Sequence, residues 1–300
     1  MAEPTGEADK HAPVAGMLWM CGATVFFSIS FTLVKGLQDD GLTVFQAILF
    51  RQTLGMAIFM PMIISPMIGV GRFAPLRSPV PARHFYRSAL GFLGMCTGYY
   101  SLSLINVADS VALQFTLPIF TMFSAVLILG EKIYSHRVIA TLIGFGGVII
   151  IVRPGFAEVN LGILFALSAS AFHSVSDTLS RYLARYDRHQ TIMVLNFAFT
   201  IPLAAVPAFI FWQPLSPEIW PPLIGFCLAG ISAQFCLTRS FGIAEASLVS
   251  PILFFRLPLV AVIAFYAFNQ QTEIWTWVGA GVIILATSWM ARIELRKSKK

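Results

Sequence analysis

The sequence predicts an all-α polytopic membrane protein: ten transmembrane helices in two inverted five-helix repeats. Three observations carry this. Hydrophobic residues make up 57% of the chain and charged residues 11%, against about 25% charged in a soluble domain. With a mean hydropathy of +0.78, the chain has too few charges to cover a surface that faces water. Second, ten apolar runs approach the roughly 20 residues that cross a bilayer core of about 30 Å. Third, Phe26–Leu37, FFSISFTLVKGL, returns 146 residues later as Phe172–Leu183, FHSVSDTLSRYL. Phe26, Ser28, Ser30, Thr32 and Leu33 meet Phe172, Ser174, Ser176, Thr178 and Leu179, and Lys35 meets Arg181. A fixed offset of this kind marks a duplicated unit.

In chain order, residues 1–13 are a polar tail, 14–153 the first repeat, 159–292 the second, and 293–300 a basic tail. The first repeat places spans near 14–35, 42–65, 85–105, 108–130 and 136–153. The second places them near 159–182, 190–212, 220–241, 246–268 and 274–292. The runs meeting at 105/108 and 241/246 leave room only for tight turns. Spans 2 and 7 keep the same offset, with Leu49 against Leu195 and Pro61 against Pro207. Spans 4 and 9 share a mid-span proline, Pro118 and Pro258. Spans 5 and 10 align Gly147-Val148-Ile149-Ile150 with Gly281-Val282-Ile283-Ile284.

Lysine and arginine set the expected orientation. With the N-terminus in the cytoplasm, sixteen basic residues fall on the inner side and only Lys35 and Arg153 on the outer, with Arg51 and Arg256 inside spans. This bias predicts both termini inside. Five spans per unit then start the second unit on the opposite side, which makes the repeats inverted copies. The net charge of +6 sits in short clusters between apolar runs, so it predicts membrane orientation and no nucleic-acid partner. Four cysteines and five histidines show no metal spacing, and no cofactor is expected. There is no Walker loop, HExxH or Gly-x-Ser-x-Gly stretch, so neither direct ATP use nor these enzyme chemistries are expected.

Polar groups inside spans are the candidate site. His173 and Asp177 share one helix face at i and i+4, where their twins are Phe27 and Phe31. An intramembrane charge costs roughly 2.5–3.5 kcal/mol on insertion scales, so it faces a cavity or a partner. The pair reads as substrate-binding or proton-titrating; the plainer reading is a local ladder from Asp177 to Arg181. Arg51 and Arg256 read as a carboxylate clamp, or as structural residues bonded within the bundle. Ser30, Thr32, Tyr99, Gln114 and Gln234 are candidate cavity groups or interhelical hydrogen-bond partners. Lys35 and Arg181 occupy twin positions expected to close off their helices. Pro118 and Pro258 are expected to kink theirs, as hinges or static bends.

These residues resemble the EamA-type branch of the drug/metabolite transporter superfamily across the whole chain. The marks are Phe50-Arg51, the run from Ala108-Asp109 through Pro118 to Gly130-Glu131, and Ala244-Glu245-Ala246-Ser247 followed by Arg256-Leu257-Pro258. One departure stands out: Asn269-Gln270-Gln271 occupies the place of the second Gly-Glu. The resemblance implies a secondary transporter of the bacterial inner membrane, exporting amino acids or related metabolites by alternating access. It also implies a central cavity between spans 1, 3, 4, 6, 8 and 9, with spans 5 and 10 as scaffold. The expected partners are a small-molecule substrate and the lipid bilayer, with a single chain as the working unit. A passive channel and a membrane-embedded enzyme are the alternatives from other classes.

Overall fold

The computed structural model describes residues 13–68, 78–130, 135–153, 160–187, 189–243 and 249–298. Basic residues Lys10, Arg72, Arg77, Lys132, Arg188, Lys299 and Lys300 lie outside the described residues, as do Glu131, the link 154–158 and Ala244–Ser247. Helices account for nearly all of the described chain. They are α1 (Pro13–Asp39), α2 (Val44–Ile68), α3 (Pro81–Leu104), α4 (Val107–Gln114), α5 (Leu117–Leu129) and α6 (Ser135–Val152) in the first half. The second half holds α7 (Leu161–Leu183), α8 (His189–Ile210), α9 (Trp220–Ile243), α10 (Arg256–Phe268) and α11 (Ile274–Ser298). A 3-10 segment, Ser250–Phe255, runs into α10.

These elements make ten passes, because α4 with α5 forms one and the 3-10 segment with α10 another. The stretches Val14–Asp39, Val107–Leu129, Thr191–Ile210 and Pro217–Phe241 are long and apolar enough to cross a membrane alone. Val44–Met60, Thr141–Val152, Ile252–Phe268 and Ile274–Ala286 are shorter apolar helices. Neither set includes α3 or α7, which carry the charged and polar positions and pack against each other. Leu127, Leu142, Val206, Phe209, Tyr266 and Leu285 are exposed on the outside of the bundle, as a lipid-facing surface requires.

Both interrupted passes break beside a proline. In the first, α4 ends at Gln114 and α5 resumes with Pro118 in its first turn. Proline cannot donate to the carbonyl four residues back, and the freed Gln114 carbonyl receives a hydrogen bond from Ser170 Oγ at 3.5 Å. In the second, Pro258 lies in the first turn of α10, where the 3-10 segment gives way to α-helix. The two passes end alike: Gly130 after α5 and Asn269 after α10 are both left-handed, at φ 69° and 53°. Asparagine is the common substitute for glycine in that cap. The departure at Asn269-Gln270-Gln271 therefore keeps the backbone turn. Gln270 Oε1 accepts from the Val107 N–H at 3.2 Å, capping α4.

Helix pairing follows the inverted repeat. α1 packs along α9 while its twin α7 packs along α3; α6 pairs with α11, and α2 with α8. The α6–α11 crossing is close. A Cβ at Gly147 would stand 2.8 Å from the Gly279 carbonyl, and one at Gly279 2.6 Å from the Gly147 carbonyl. The structural twins are thus Gly147 and Gly279, with Ile151 and Ile283 the next neighbours across the crossing. The sequence alignment of Gly147 with Gly281 is corrected by two residues, since nothing stands within 4 Å of a Cβ at Gly281.

The face where α1 begins is the near face, and the face at Asp39 the far face. The main core fills the far half, from Val34, Leu37 and Ile48 through Tyr99, Leu102 and Val107 to Phe226, Val260 and Ala264. On the near side the corresponding core among the described residues is small: Met20, Ala23, Cys236 and Val249. Among those residues the bundle is tightly packed at one end and divided at the other.

Candidate functional site

The division is a cavity of about 570 Å³. The face of α7 supplies Ser170, His173, Asp177 and Arg181, spaced so that each follows the last by one turn. The broken first-half pass adds Gln114, Phe115, Leu117, Pro118, Thr121, Met122 and Ala125. Phe27 comes from α1, Leu237 and Phe241 from α9, and Leu253, Phe254 and Arg256 from the second broken pass. The cavity runs from Gln114, His173 and Arg256 at mid-bundle to Arg181 and Phe241 near the helix ends of the near face.

The far end is closed by polar ties between helix termini. Gln38 Nε2 donates to the Tyr99 carbonyl at 3.1 Å, and Ser103 Oγ donates to Gln38 Oε1 at 2.9 Å. Thr276 Oγ1 donates to Asp109 at 2.5 Å, and Asn160 Nδ2 to the Leu104 carbonyl at 3.0 Å. Arg153 pairs with Glu273.

Helix packing fixes each polar wall residue. The His173 ring lies against Gly94 of α3, where a Cβ would come within 3.0 Å of three ring atoms. Asp177 is exposed to the cavity, with Arg87 and Arg181 as its cationic neighbours. No ion pair within 4.0 Å joins Asp177 to Arg181 among the described residues, so the ladder from the sequence is not formed. Arg87 instead donates through Nε to Ser180 Oγ at 2.5 Å. Gln114 Nε2 donates to Ser110 Oγ at 3.3 Å, and Ser110 shares a 2.6 Å hydrogen bond with Ser101 of α3. The Arg256 guanidinium lies 3.9 Å above the Phe31 ring and 5.4 Å from that of Phe27. Cation–π contact favours this placement.

Of the expected site residues, His173, Asp177, Gln114 and Arg256 come together on the cavity wall, with Arg181 and Pro118 beside them. Ser30, Thr32, Tyr99, Gln234, Arg51 and Pro258 are not among the lining residues. Ser30 Oγ donates to the Phe226 carbonyl in the α1–α9 seam, and Thr32 Oγ1 bonds back to Ser28 of its own helix. The Tyr99 hydroxyl accepts from Arg51 Nη1 at 2.6 Å, so Tyr99 and Arg51 satisfy each other inside the bundle. The Gln234 side chain is exposed on α9. Lys35 pairs with Asp39 at 2.7 Å at the far end of α1. Two wall features escaped the sequence reading: Ser170, one turn before His173 on the same face, and the rings of Phe115 and Phe254, whose centroids stand 5.2 Å apart. The helical spacing could have revealed Ser170; nothing local marks the two phenylalanines.

Comparison with known proteins agrees with this architecture. A riboflavin transporter of Vibrio cholerae is 26% identical over 294 residues, covering 97% of each chain. An S-adenosylmethionine uptake transporter of Rickettsia prowazekii is 26% identical over 281 residues, covering 93% of each. A solved crystal structure superposes with a TM-score of 0.61 at 18% identity, over 94% of this chain and 98% of that one, which is a likeness of fold. The model of the EamA-like transporter family matches residues 14–153 and 160–292. The family match covers both five-pass units that line the cavity, and this multi-pass membrane protein belongs to the EamA-like transporter family.

Proposed function

We propose that the chain is a reversible secondary carrier for a small amphipathic metabolite in a bacterial inner membrane, with both termini in the cytoplasm and one chain as the working unit. The observation that supports this most is the asymmetry of the bundle. A cavity of about 570 Å³ is lined by both repeats, the near half is thinly cored among the described residues, and the far half is packed and tied shut. Rocking the group α1, α9 and α10 against the group α3, α5 and α7, each of which draws helices from both repeats and which the cavity separates, would open the far ends and close the near ends. With the near face cytoplasmic, this state would be inward-open.

The wall composition favours a solute with a flat ring and a polar group. Phe27, Phe115 and Phe254 offer ring faces, and His173, Asp177, Gln114 and Arg256 offer hydrogen bonds. Such sites are apolar with few placed polar groups. Amino acids moved outward are the expectation from sequence. Riboflavin and S-adenosylmethionine, named for the relatives, share the ring-plus-polar character. The test is uptake and counterflow in proteoliposomes of purified protein with labelled aromatic amino acids, riboflavin and S-adenosylmethionine. A carrier shows saturable uptake accelerated by the same solute on the trans side. Transport of none of them, or transport without trans-acceleration, overturns the proposal.

A further inference from the structure

We infer that Arg256 is the anchor for a carboxylate on the transported solute, which makes the substrate a ring-bearing metabolite with a free carboxylate. The inference rests on the cavity being the solute's binding site.

Four observations carry it. Arg256 lines the cavity, yet its Nε and Nη2 are enclosed with no hydrogen-bond partner. Those two nitrogens lie on one edge of the guanidinium, and their N–H bonds form the fork that takes both oxygens of a carboxylate. No carboxylate of the described residues lies within 4.0 Å of Arg256. Asp177, the single carboxylate on the wall, faces Arg87 and Arg181. The wall therefore holds two arginines against one aspartate, with Arg51 a further cation behind it. Unlike Arg256, Arg51 has its partner in Tyr99.

The contact with Phe31 explains how the cation waits. At 3.9 Å the ring holds the guanidinium face by cation–π attraction but offers its edge no acceptor. The side chain is long and flexible, so a modest rotation turns the edge into the cavity that it already lines. A solute carboxylate supplies the missing acceptors and the missing negative charge together. The ring of the same solute then meets Phe115 and Phe254, set edge to face at 87°. The carboxylate can belong to an amino acid or to a simple aromatic acid, and the test separates them.

The experiment measures uptake by the full chain in proteoliposomes for two matched pairs, phenylalanine with phenylalaninamide and indole-3-acetate with indole-3-acetamide. Riboflavin and S-adenosylmethionine run alongside. Wild type is expected to prefer the carboxylate at least tenfold in KM in one pair; which pair responds shows whether the α-ammonium is also needed. Arg256→Gln is expected to bring that preference to within twofold, and Arg256→Lys to keep part of it because a point charge remains. Should Arg256→Gln not fold, a weakened preference in Arg256→Lys supports the anchor and an unchanged one overturns it. Solute transport without carboxylate preference, or a preference that survives in Arg256→Gln, overturns the anchor and leaves the carrier standing. Movement of none of the six solutes overturns the carrier reading, and the anchor with it.

Discussion

Ser30 and Ser176 make the same hydrogen bond on opposite sides of the repeat axis. Ser30 Oγ donates to the Phe226 carbonyl of α9 at 3.3 Å, and Ser176 Oγ donates to the Arg87 carbonyl of α3 at 3.1 Å. Each serine also faces a glycine one turn further along the partner helix. A Cβ on Gly230 would stand 3.1 Å from Ser30 Oγ, and one on Gly91 3.2 Å from Ser176 Oγ. Small residues on both sides let the helices approach, and the hydroxyl fills the gap with a hydrogen bond.

That geometry predicts a compensation. Gly91→Ala places a methyl against Ser176 and should lower stability by about 1 kcal/mol, the low end of overpacking costs. Ser176→Ala alone should cost roughly 0.6 kcal/mol, an average interhelical hydrogen bond. The double variant should melt above the sum of the two losses, since the second change removes the obstacle. Thermal unfolding of the purified protein in detergent checks this, and strict additivity would count against the contact.

The α6–α11 crossing should behave differently. Gly147→Ala and Gly279→Ala each drive a methyl into a backbone carbonyl, so no side-chain trimming can relieve them. Each should cost about 1–3 kcal/mol or more. Gly146→Ala and Gly281→Ala meet nothing within 4 Å and should be neutral or slightly stabilising, because alanine favours helix over glycine by about 1 kcal/mol. If the two pairs melt alike, the crossing is misplaced.

Gly94 backs the His173 ring and is not among the cavity-lining residues. Gly94→Ala pushes on the imidazole at 3.0 Å, and the ring can give by rotating toward the cavity. Transport KM is expected to rise several-fold with little change in melting temperature. An unchanged KM would show that the ring position does not matter for binding.

Gln38 joins α1 to α3 through both ends of its amide. Removing it in Gln38→Ala should loosen the far seal by roughly 1 kcal/mol per hydrogen bond. Cys96 and Cys227 belong to the far core and report on its opening. In a Cys21→Ser, Cys236→Ser background, their labelling by a permeant thiol reagent should speed up about fivefold or more, as RT-scaled weakening implies. Equal rates would remove Gln38 from the seal.

Much of this was legible in the chain. The repeat was visible at Ser30/Ser176 because both copies must solve the same seam, and identical seams preserve identical small polar residues. His173 and Asp177 were visible because charge inside an apolar helix has to face something other than lipid. Tyr99 was not separable from the site by sequence: a polar ring inside a span reads the same whether it lines a cavity or, as here, holds Arg51. Gly147 was matched to Gly281 because the letters agree, whereas the contact selects Gly279.

By itself the sequence determined the all-helical membrane class, the duplication and its inversion. Those follow from composition, run length and an odd number of spans per unit, which are properties of the chain read along its length. Only the tertiary structure decided that Arg256 stacks on Phe31 with an unpartnered edge, that Asp177 is not laddered to Arg181, and that the near half holds the cavity. Each depends on which way a helix face is turned. One residue of register turns that face by about 100°, and the turn is set by packing against helices distant in the chain.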